Sequence, residues 1–315
     1  MAEQVIAVVG PTAAGKSGLG IALAQALGGE IINADSMQLY RGMDVGTAKL
    51  PPARRGGVPH HLLDIWDVRQ AASVAEYQRL ARAAIAGVQA RDRVPILVGG
   101  SGLYIRAALD DLKFPRTDPG VRQRLEDELA HAGPGPLHGR LTGLDPRAAA
   151  SILPSNGRRI VRALEVIELS GQPFSATLPG YESLYPSVQL GLRLDRAELD
   201  ARIAARADRM WQDGFVAEVR GLAAHGLADG LTASRALGYA QLLRHLAGEW
   251  TAGQALAETV RATRKFARRQ ESWFGRDPRV AWLDAGLAAP GQLAAALATI
   301  GACGSPKGTA PRTTS

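Results

Sequence analysis

The segment VIAVVGPTAAGKSGLGIALAQALGG, at residues 5–29, decides the fold. The apolar run from Gln4 to Val9 is typical of a buried parallel strand, and GLGIALAQALGG is typical of a helix. Between them, GPTAAGKS matches the pattern G-x-x-x-x-G-K-[ST] in the strand–loop–helix context that a phosphate-binding loop needs. We therefore predict a phosphate-binding loop made of Gly10, Pro11, Thr12, Ala13, Ala14, Gly15, Lys16 and Ser17.

The residue types in this loop suit a di- or triphosphate. Glycines let backbone N–H groups converge on an anion at the positive end of a helix, Lys16 adds a charge, and the Ser17 hydroxyl can hold Mg²⁺. The alternative is a Gly-rich turn that only caps a helix, and the flanking strand and helix disfavour it. The loop alone does not specify the reaction.

Further strands and helices alternate along the chain, which favours an α/β fold with a parallel sheet. The predicted strands are EIINAD at 30–35, PILVGG at 95–100, SVQLGLRL at 187–194 and VAWLD at 280–284; the predicted helices include 73–90 and 103–109. No convincing strand occurs between them at 113–186, where helical segments and turns predict a helical insertion. We therefore predict a P-loop core at 1–112 and 187–303, the insertion at 113–186 and a disordered tail at 304–315.

Asp35 is the best candidate for an acidic functional residue. Ligands of open α/β sheets lie outside the carboxyl ends of the strands, and Asp35 ends the second predicted strand. Its alternative role is a helix N-cap or turn aspartate. Asp64 in HLLDI is a weaker candidate for positioning Mg²⁺, since only two apolar residues precede it.

The composition points to a polyanionic partner and to the cytoplasm. Lysine and arginine number 37 against 30 acidic residues, for a net charge of +7, and only five of the 37 are lysine. Arginine suits phosphate and base stacking, although a GC-rich genome would also favour it. The single cysteine, Cys303, excludes an internal disulfide, and we find neither a secretory signal nor a membrane span. We expect a cytoplasmic protein with no membrane partner, acting as a monomer.

Six segments, in this order and spacing, closely resemble the bacterial tRNA dimethylallyltransferases, also called tRNA isopentenyltransferases or IPP transferases. The resemblance covers nearly the whole chain from Val5 to about Leu283. The segments are GPTAAGKS, INADSMQLYRGMDVGTAK, PHHLLDI, PILVGGSGLYIRA, RRIVRALEV and RALGYAQ.

The resemblance implies both substrates and the reaction. The loop would hold dimethylallyl diphosphate with Mg²⁺. The enzyme would transfer the dimethylallyl group to the N6 atom of the adenosine at position 37, beside the tRNA anticodon, in tRNAs that read codons starting with U. The products would be N6-(dimethylallyl)adenosine and pyrophosphate.

The resemblance also implies residue roles. Asp35 would be the base that acts on N6, Ser101 would touch the target nucleotide, and Arg235 would help to bind the diphosphate. The residues implied to contact the tRNA are Asp35, Ser36, Met37, Gln38, Ser101, Gln123, Arg158, Arg159, Ile160, Val161 and Arg162. The chain departs from the family at Ala240, where many relatives carry a basic residue.

Two basic helical faces have different predicted roles. Arg264, Lys265 and Arg268 share a face with Arg261, and because tRNA is the implied partner we predict that this face binds it. Arg202, Arg206 and Arg209 repeat the spacing, but acidic residues interleave there, so we predict a solvated, ion-paired face. His60 and His61 have no third ligand in metal-site spacing, and a structural or substrate-loop role is favoured.

Two alternative functions belong to other classes. A phosphotransferase would bind and hydrolyse ATP and would be indifferent to tRNA. An RNA-binding module with a vestigial phosphate loop would keep its RNA affinity after Lys16→Ala or Asp35→Ala and would have no chemistry to lose.

Overall fold

The computed structural model describes residues 3–115, 117–174 and 180–304. The described residues up to Leu109 and from Ser183 onward form one compact unit, and Asp110–Glu182 form a second. The first unit contains a sheet of six parallel strands: β1 (Val5–Val9), β2 (Gly29–Asn33), β3 (His60–His61), β4 (Val94–Val98), β5 (Ser187–Arg193) and β6 (Val280–Asp284). Its strand order is β3-β2-β4-β1-β5-β6, and every neighbouring pair is parallel.

Helices complete the first unit. They are α1 (Lys16–Leu27), α2 (Val74–Gln89), α3 (Gly102–Leu109), α8 (Arg196–Gln212), α9 (Phe215–Ala224), α10 (Tyr239–Leu246), α11 (Ala252–Phe274) and α12 (Ala289–Gly304). The helix predicted at 73–90 is α2, and it buries Tyr77, Ala81, Ile85 and Val88. The parallel sheet flanked by helices confirms the predicted α/β fold class.

The strand order explains why the candidate residues can meet. β1, β2 and β4 are neighbours, with β4 between the other two. Their carboxyl ends lead into the phosphate-binding loop, Asp35 and Ser101 respectively. In an open parallel sheet this edge is where ligands bind, so the topology gathers all three features at one place.

All five strands predicted from sequence are present, and one strand was missed. β3 has only two residues and pairs with Ile31 and Ile32 of β2. Two residues are too few to give a periodic pattern, so pairing with a long neighbour defines this strand. β2 also ends at Asn33, so Asp35 lies just beyond the strand rather than at its last position.

The second unit is helical in the residues that the structure describes. It contains α4 (Pro119–Ala132), α5 (Pro134–Leu144), α6 (Pro146–Ser151) and α7 (Gly157–Ser170). Leu125, Leu137, Leu141, Ile160 and Leu164 pack in its core. It therefore has an apolar core of its own.

Glu165 on α7 is the polar centre of this unit. Its side chain is fully buried and accepts hydrogen bonds from the guanidinium groups of Arg122 and Arg162 and from the backbone N–H of Asp118. Burial raises the pKa of Glu165, but the bonds from the two arginines outweigh it, so the net pKa lies below its ordinary value. The carboxylate is therefore charged and fully partnered.

We expect Glu165→Gln to destabilise the second unit by roughly 1–3 kcal/mol, because the amide places an NH₂ group where a buried carboxylate oxygen accepts from the half-buried guanidinium groups. Hydrogen exchange of the amides in 117–170 should rise while exchange in the sheet stays unchanged. The matched control is Glu168→Gln on the same helix, which breaks an exposed pair with Arg124 and should cost less than about 1 kcal/mol. Equal exchange in both variants would contradict a central role for Glu165.

No helix of the described residues is long and apolar enough to cross a membrane. The predicted tail at 304–315 lies outside the described residues except for Gly304, which is the last residue of α12.

Candidate functional site

The phosphate-binding loop has the backbone geometry of an anion site. Ala13 and Gly15 adopt left-handed conformations, with φ of 66° and 95°, and α1 begins directly after Gly15. In the described residues, no group accepts a hydrogen bond from the backbone N–H of Ala13, Gly15, Lys16 or Ser17. Successive free N–H groups at a helix N-terminus form a concave site for phosphate oxygens.

Lys16 completes the loop. Its Nζ atom donates a hydrogen bond of 2.6 Å to the carbonyl oxygen of Pro11 in the same loop. Burial lowers the pKa of Lys16 from 10.5 to about 8; the Asp35 carboxylate raises it and the Arg206 guanidinium lowers it. A bound anion would restore the electrostatic support that burial removes, so this lysine is suited to a phosphate ligand.

Asp35 and Ser101 lie side by side at the carboxyl ends of β2 and β4. The Oδ1 atom of Asp35 accepts a 2.9 Å hydrogen bond from the N–H of Met37. The Oγ atom of Ser101 accepts a 3.2 Å bond from the N–H of Ser36 and lies 3.3 Å from the Ser36 Oγ. Asp35 therefore does form a turn, as the alternative proposed, and that turn fixes the orientation of its carboxylate.

Close backbone approach explains the glycine after β4. A Cβ atom on Gly99 would lie 2.2 Å from the carbonyl carbon and oxygen of Ala34. Any side chain here would push the β2 end, and with it Asp35, away from the β4 end. A glycine at position 99 is therefore required to bring Asp35 and Ser101 together.

Two cavities of about 290 Å³ each open at this edge of the sheet. The first, the loop cavity, is lined by the phosphate-binding loop with Asn33, Gln38 and His60. The second, the apolar cavity, is lined by Ser36, Met37 and Ser101 on one side and by apolar side chains on the other. That apolar wall consists of Ile203, Ala207, Met210, Phe215, Leu237 and Phe266.

Four residues line both cavities and so mark their junction. They are Thr12, Asp35, Thr47 and Arg206. Asp35 is the one carboxylate among the described lining residues, against the cations Lys16, Arg206, Arg235 and Arg269. The site therefore has an excess of positive charge around a single oriented carboxylate.

Arg206 corrects one prediction. The sequence pattern predicts a solvated, ion-paired face for Arg202, Arg206 and Arg209, and Arg202 does pair with Glu198 at 2.6 Å. Arg206 instead lines both cavities, and burial lowers its pKa while Asp35 raises it. A guanidinium stays charged nonetheless.

The spacing of α8 contains the signal that was missed. Leu199, Ile203 and Met210 form the buried stripe of this helix. Position 206 continues the same stripe, four residues before 210 and three after 203, so its side chain points inward. An arginine at an inward-facing position of a helix indicates a buried anion site. This signal is stronger than the interleaved acidic residues of α8, which favour a solvated face.

Arg235 lies in a 3₁₀ turn, Ala233–Arg235, and lines the apolar cavity, but it is absent from the lining of the loop cavity. Gln38 lines the loop cavity, and its Nε2 atom donates a 3.1 Å bond to the carbonyl of Thr47. Met37 lines the apolar cavity. The structure thus brings Asp35, Ser36, Met37, Gln38, Ser101 and Arg235 around the two cavities.

The implied tRNA-contacting residues of the second unit differ in exposure. Arg158 and Arg159 are exposed, whereas Ile160 and Val161 are buried in the unit's own core. Arg162 is engaged by Glu165 and by the carbonyl of Pro115. The exposed cations of the segment RRIVR are therefore its first two arginines, and the burial of Ile160 and Val161 anchors the helix that carries them. Gln123 is exposed on α4, and its Nε2 donates to Asp127 at 2.9 Å.

The predicted basic face of α11 exists as a groove of about 420 Å³, lined by Ala257, Val260, Arg261, Arg264, Lys265 and Arg268. Glu258 pairs with Arg261, and the carboxylate of Asp200 lies 3.9–4.0 Å from Arg264 and Arg268. Four cations against two carboxylates leave the groove positive, which is suitable for a phosphate backbone.

The remaining polar candidates have structural partners. Asp64 accepts a 2.6 Å bond from the buried Nζ of Lys49, and it lines neither cavity. His61 contacts the carboxylate of Glu30 at 2.6 Å, and His60 contacts the carbonyl of Val58. Among the described residues, no cluster of three or more His, Cys, Asp or Glu side chains could hold a metal ion.

The oxygen groups of the loop cavity fit a different kind of metal binding. The Ser17 side chain is exposed in that cavity, and Asp35 lines it too. Mg²⁺ is usually held by one or two protein oxygens together with substrate phosphates and waters. These residues therefore fit a Mg²⁺ ion that accompanies a diphosphate rather than a closed protein cage.

Comparison with known proteins gives one consistent family. A family model described as IPP transferase matches residues 38–277. A tRNA dimethylallyltransferase of Streptomyces coelicolor is 68% identical over 287 residues, which cover 91% of this chain and 92% of that protein. A tRNA dimethylallyltransferase of Thermobifida fusca is 68% identical over 286 residues, 89% of this chain and 90% of that protein.

Solved structures agree with this result. The full-length tRNA isopentenylpyrophosphate transferase of Bacillus halodurans superposes with a TM-score of 0.72 at 38% identity, covering 96% of both chains. A eukaryotic dimethylallyltransferase, captured crystallographically while acting on tRNA, gives a TM-score of 0.77 at 27% identity, covering 90% of this chain and 74% of that one.

Proposed function

The chain belongs to the IPP transferase family, and from this premise we propose that it transfers the dimethylallyl group of dimethylallyl diphosphate to N6 of the adenosine at position 37 of tRNA. We propose that its substrates are tRNAs that read codons starting with U. The observation that carries the proposal is the junction of the two cavities, where Asp35 and Arg206 line both.

The junction separates the two halves of the reaction. The diphosphate belongs in the loop cavity, on the free N–H groups and Lys16, and the adenine belongs in the apolar cavity beside Ser36 and Ser101. The allylic carbon then lies between them, close to Asp35. The target base must leave its stack to enter the apolar cavity, and such extrusion is usual for enzymes that act on bases.

The residues account for each bond change. The N6 nitrogen forms the new C–N bond as the bond between the allylic carbon and the diphosphate oxygen breaks. Lys16, Arg206 and the loop N–H groups stabilise the negative charge on the departing pyrophosphate. Asp35, oriented by its bond from the Met37 N–H, takes the proton from N6 as the bond forms.

We propose that Mg²⁺ is held by Ser17 and the diphosphate oxygens. When bound it supplies positive charge that offsets the charge of the leaving group. We also propose that the chain acts as a monomer, since both cavities and the basic groove of α11 come from one chain; light scattering of the purified protein with and without RNA tests this.

The decisive experiment combines the purified protein with Mg²⁺, an unmodified anticodon stem-loop and either dimethylallyl diphosphate or ATP. Mass spectrometry of the RNA should show a gain of one C₅H₈ unit with the allyl donor alone. A stem-loop with guanosine at position 37 is the matched control and should gain nothing. ATP consumption without RNA modification would favour a phosphotransferase, and RNA binding without any chemistry would favour a binding module.

We expect Lys16→Ala to weaken use of the donor rather than of the RNA. A hydrogen bond to a charged group contributes roughly 1.5–3 kcal/mol, so the KM for dimethylallyl diphosphate should rise about 10- to 100-fold. The affinity for the stem-loop, measured by filter binding, should change less than twofold. An unchanged KM for the donor would mean that this loop does not bind the diphosphate.

A further inference from the structure

Gln270 on α11 joins two separate parts of the site through one side chain. Its Oε1 atom accepts a 2.8 Å hydrogen bond from the N–H of Thr12, and its Nε2 atom donates a 2.9 Å bond to the carbonyl of Gly100. These partners lie 258 and 170 positions away in sequence, one in the phosphate-binding loop and the other directly before Ser101. The amide thus spans the carboxyl ends of β1 and β4.

The surroundings of this amide leave it little freedom. Gln270 is 5% exposed, its bond to Gly100 is buried, and its bond from the half-buried Thr12 is partly buried. A Cβ atom on Gly100 would lie 2.1 Å from the Nε2 of Gln270, so the glycine leaves the space that the amide occupies. In such a buried place a polar group without its partner is costly, which favours the bridged arrangement.

The bridge also decides which loop groups can meet an anion. Because Gln270 takes the N–H of Thr12, that group is unavailable to a phosphate, and the free N–H groups begin at Ala13. Thr12 is at the same time one of the four residues at the junction of the two cavities. The paired strands β1 and β4 hold the two segments at their base, and the amide of Gln270 links the loop itself to the backbone before Ser101.

We propose that Gln270 is a positioning residue that fixes the phosphate-binding loop against the Gly100–Ser101 end of β4, so that the donor diphosphate and the target base are held at the correct separation. It touches neither substrate. Because reacting atoms must meet at close range, a displacement of about 1 Å between the two ends can cost on the order of 100-fold in rate. This inference rests on the proposed function.

The test uses Gln270→Met and Gln270→Glu in the full chain. Gln270→Met keeps the size and removes both hydrogen bonds. We expect it to lower kcat/KM for dimethylallyl diphosphate about 10- to 100-fold while the affinity for the stem-loop stays within twofold. A side chain with a structural role alone would change the melting temperature without this separation of donor and RNA parameters.

Gln270→Glu adds a pH readout. The neutral carboxyl group has one acceptor and one donor and can reproduce both bonds, whereas the carboxylate lacks the donor for Gly100 and adds negative charge beside the diphosphate. The activity of Gln270→Glu relative to the unmodified protein should therefore recover as the pH falls and the new carboxylate is protonated. Burial raises the pKa of that carboxyl group, so the recovery should begin nearer to neutral pH. Both proteins contain the charged groups around the site, Lys16, Asp35, Arg206 and Arg269. Dividing the activity of the variant by that of the unmodified protein at each pH therefore cancels the effect of their titration.

Gln292→Glu is the matched control. Gln292 on α12 also donates to backbone carbonyls, those of Ala285 and Leu287, but it lies outside both cavities. This control should keep donor kinetics within twofold at every pH. If Gln270→Met fails to fold, the isosteric Gln270→Glu carries the test alone.

Two results would overturn the proposal: donor kinetics within twofold of the unmodified protein in both folded variants, or a loss in Gln270→Glu that does not vary with pH. Failure of the proposed function gives a different result, because the unmodified protein would then not transfer the C₅ group at all.

Discussion

Asp35→Asn should reduce turnover by roughly 10²–10⁴-fold while leaving RNA binding nearly intact, since general base catalysis contributes a factor of this size. The expected loss follows from the place of the carboxylate at the junction of the two cavities. The amine of adenine is a weak nucleophile because its lone pair is delocalised into the ring. Removing its proton as the new bond forms is therefore an essential part of the step.

Asparagine is the informative substitution because it separates the two roles of this residue. Its side-chain oxygen can still accept the hydrogen bond from the Met37 N–H, so the turn is preserved and only the base is lost. Asp35→Ala loses both. If the turn were the only role, Asp35→Asn would retain activity and Asp35→Ala would not.

The measurement is a single-turnover rate with saturating donor, read as C₅H₈ gain on the stem-loop, together with the RNA dissociation constant. We expect both variants to be slow and both to bind RNA within about twofold of the unmodified protein. Turnover within threefold of the unmodified protein in Asp35→Asn would refute the base role.

Short sequence patterns were enough to predict the site residues that directly follow a strand, namely the phosphate-binding loop after β1 and Asp35 after β2. The strands β1, β2 and β4 are each five residues long and buried along their whole length, and the loop between β1 and α1 has a residue spacing that rarely arises by chance. Asp35 could be selected because it follows a buried strand. These features depend on neighbours in sequence, which is why sequence suffices for them.

Contacts between distant segments could not be predicted in the same way. Glu218 on α9 accepts hydrogen bonds from the backbone N–H groups of Asp44, Val45 and Gly46, and Tyr239 donates to the same carboxylate at 2.6 Å. These bonds hold the loop that carries Thr47. No period or motif encodes a carboxylate bound by the amides of a loop more than 170 residues away.

Arg206 is an intermediate case, because two patterns in the sequence of α8 predict different orientations for its side chain. Interleaved acidic residues favoured a solvated face, and for Arg202 this prediction was right. The buried stripe at Leu199, Ile203 and Met210 gives the stronger constraint, because burial of an apolar stripe fixes the rotation of the whole helix. Exposed ion pairs contribute far less to the free energy of folding than burial of the apolar stripe, so the stripe determines how the helix is oriented.

Arg206→Met is accordingly the second variant for which we expect a large effect, a loss of about 10²–10³-fold in kcat/KM for dimethylallyl diphosphate. Loss of one preorganised donor to a developing negative charge typically has this magnitude. Methionine retains much of the length of the side chain and removes only the charge and the hydrogen-bond donors. Arg206→Lys should recover part of the activity, since it restores the charge without the planar donor fork.

Arg202→Met on the same helix is the matched control. The side chain of Arg202 is 39% exposed, pairs with Glu198 and lines neither cavity, so its loss should leave donor kinetics within twofold. If Arg202→Met and Arg206→Met behaved alike, the effect would come from α8 as a whole and not from the guanidinium at the junction.

Arg235→Met provides the comparison that ranks the two arginines of the site. Arg235 lines the apolar cavity alone, whereas Arg206 lines both. The family resemblance implies that Arg235 helps to bind the diphosphate, whereas its place in the apolar cavity alone predicts contact with the base. If the diphosphate lies in the loop cavity, Arg206→Met should mainly impair use of the donor, and Arg235→Met should mainly raise the KM for the stem-loop. The reverse order would place the leaving group beside Arg235, as the family resemblance implies, and would exchange the assignments of the two cavities, because Arg235 reports on the apolar cavity alone.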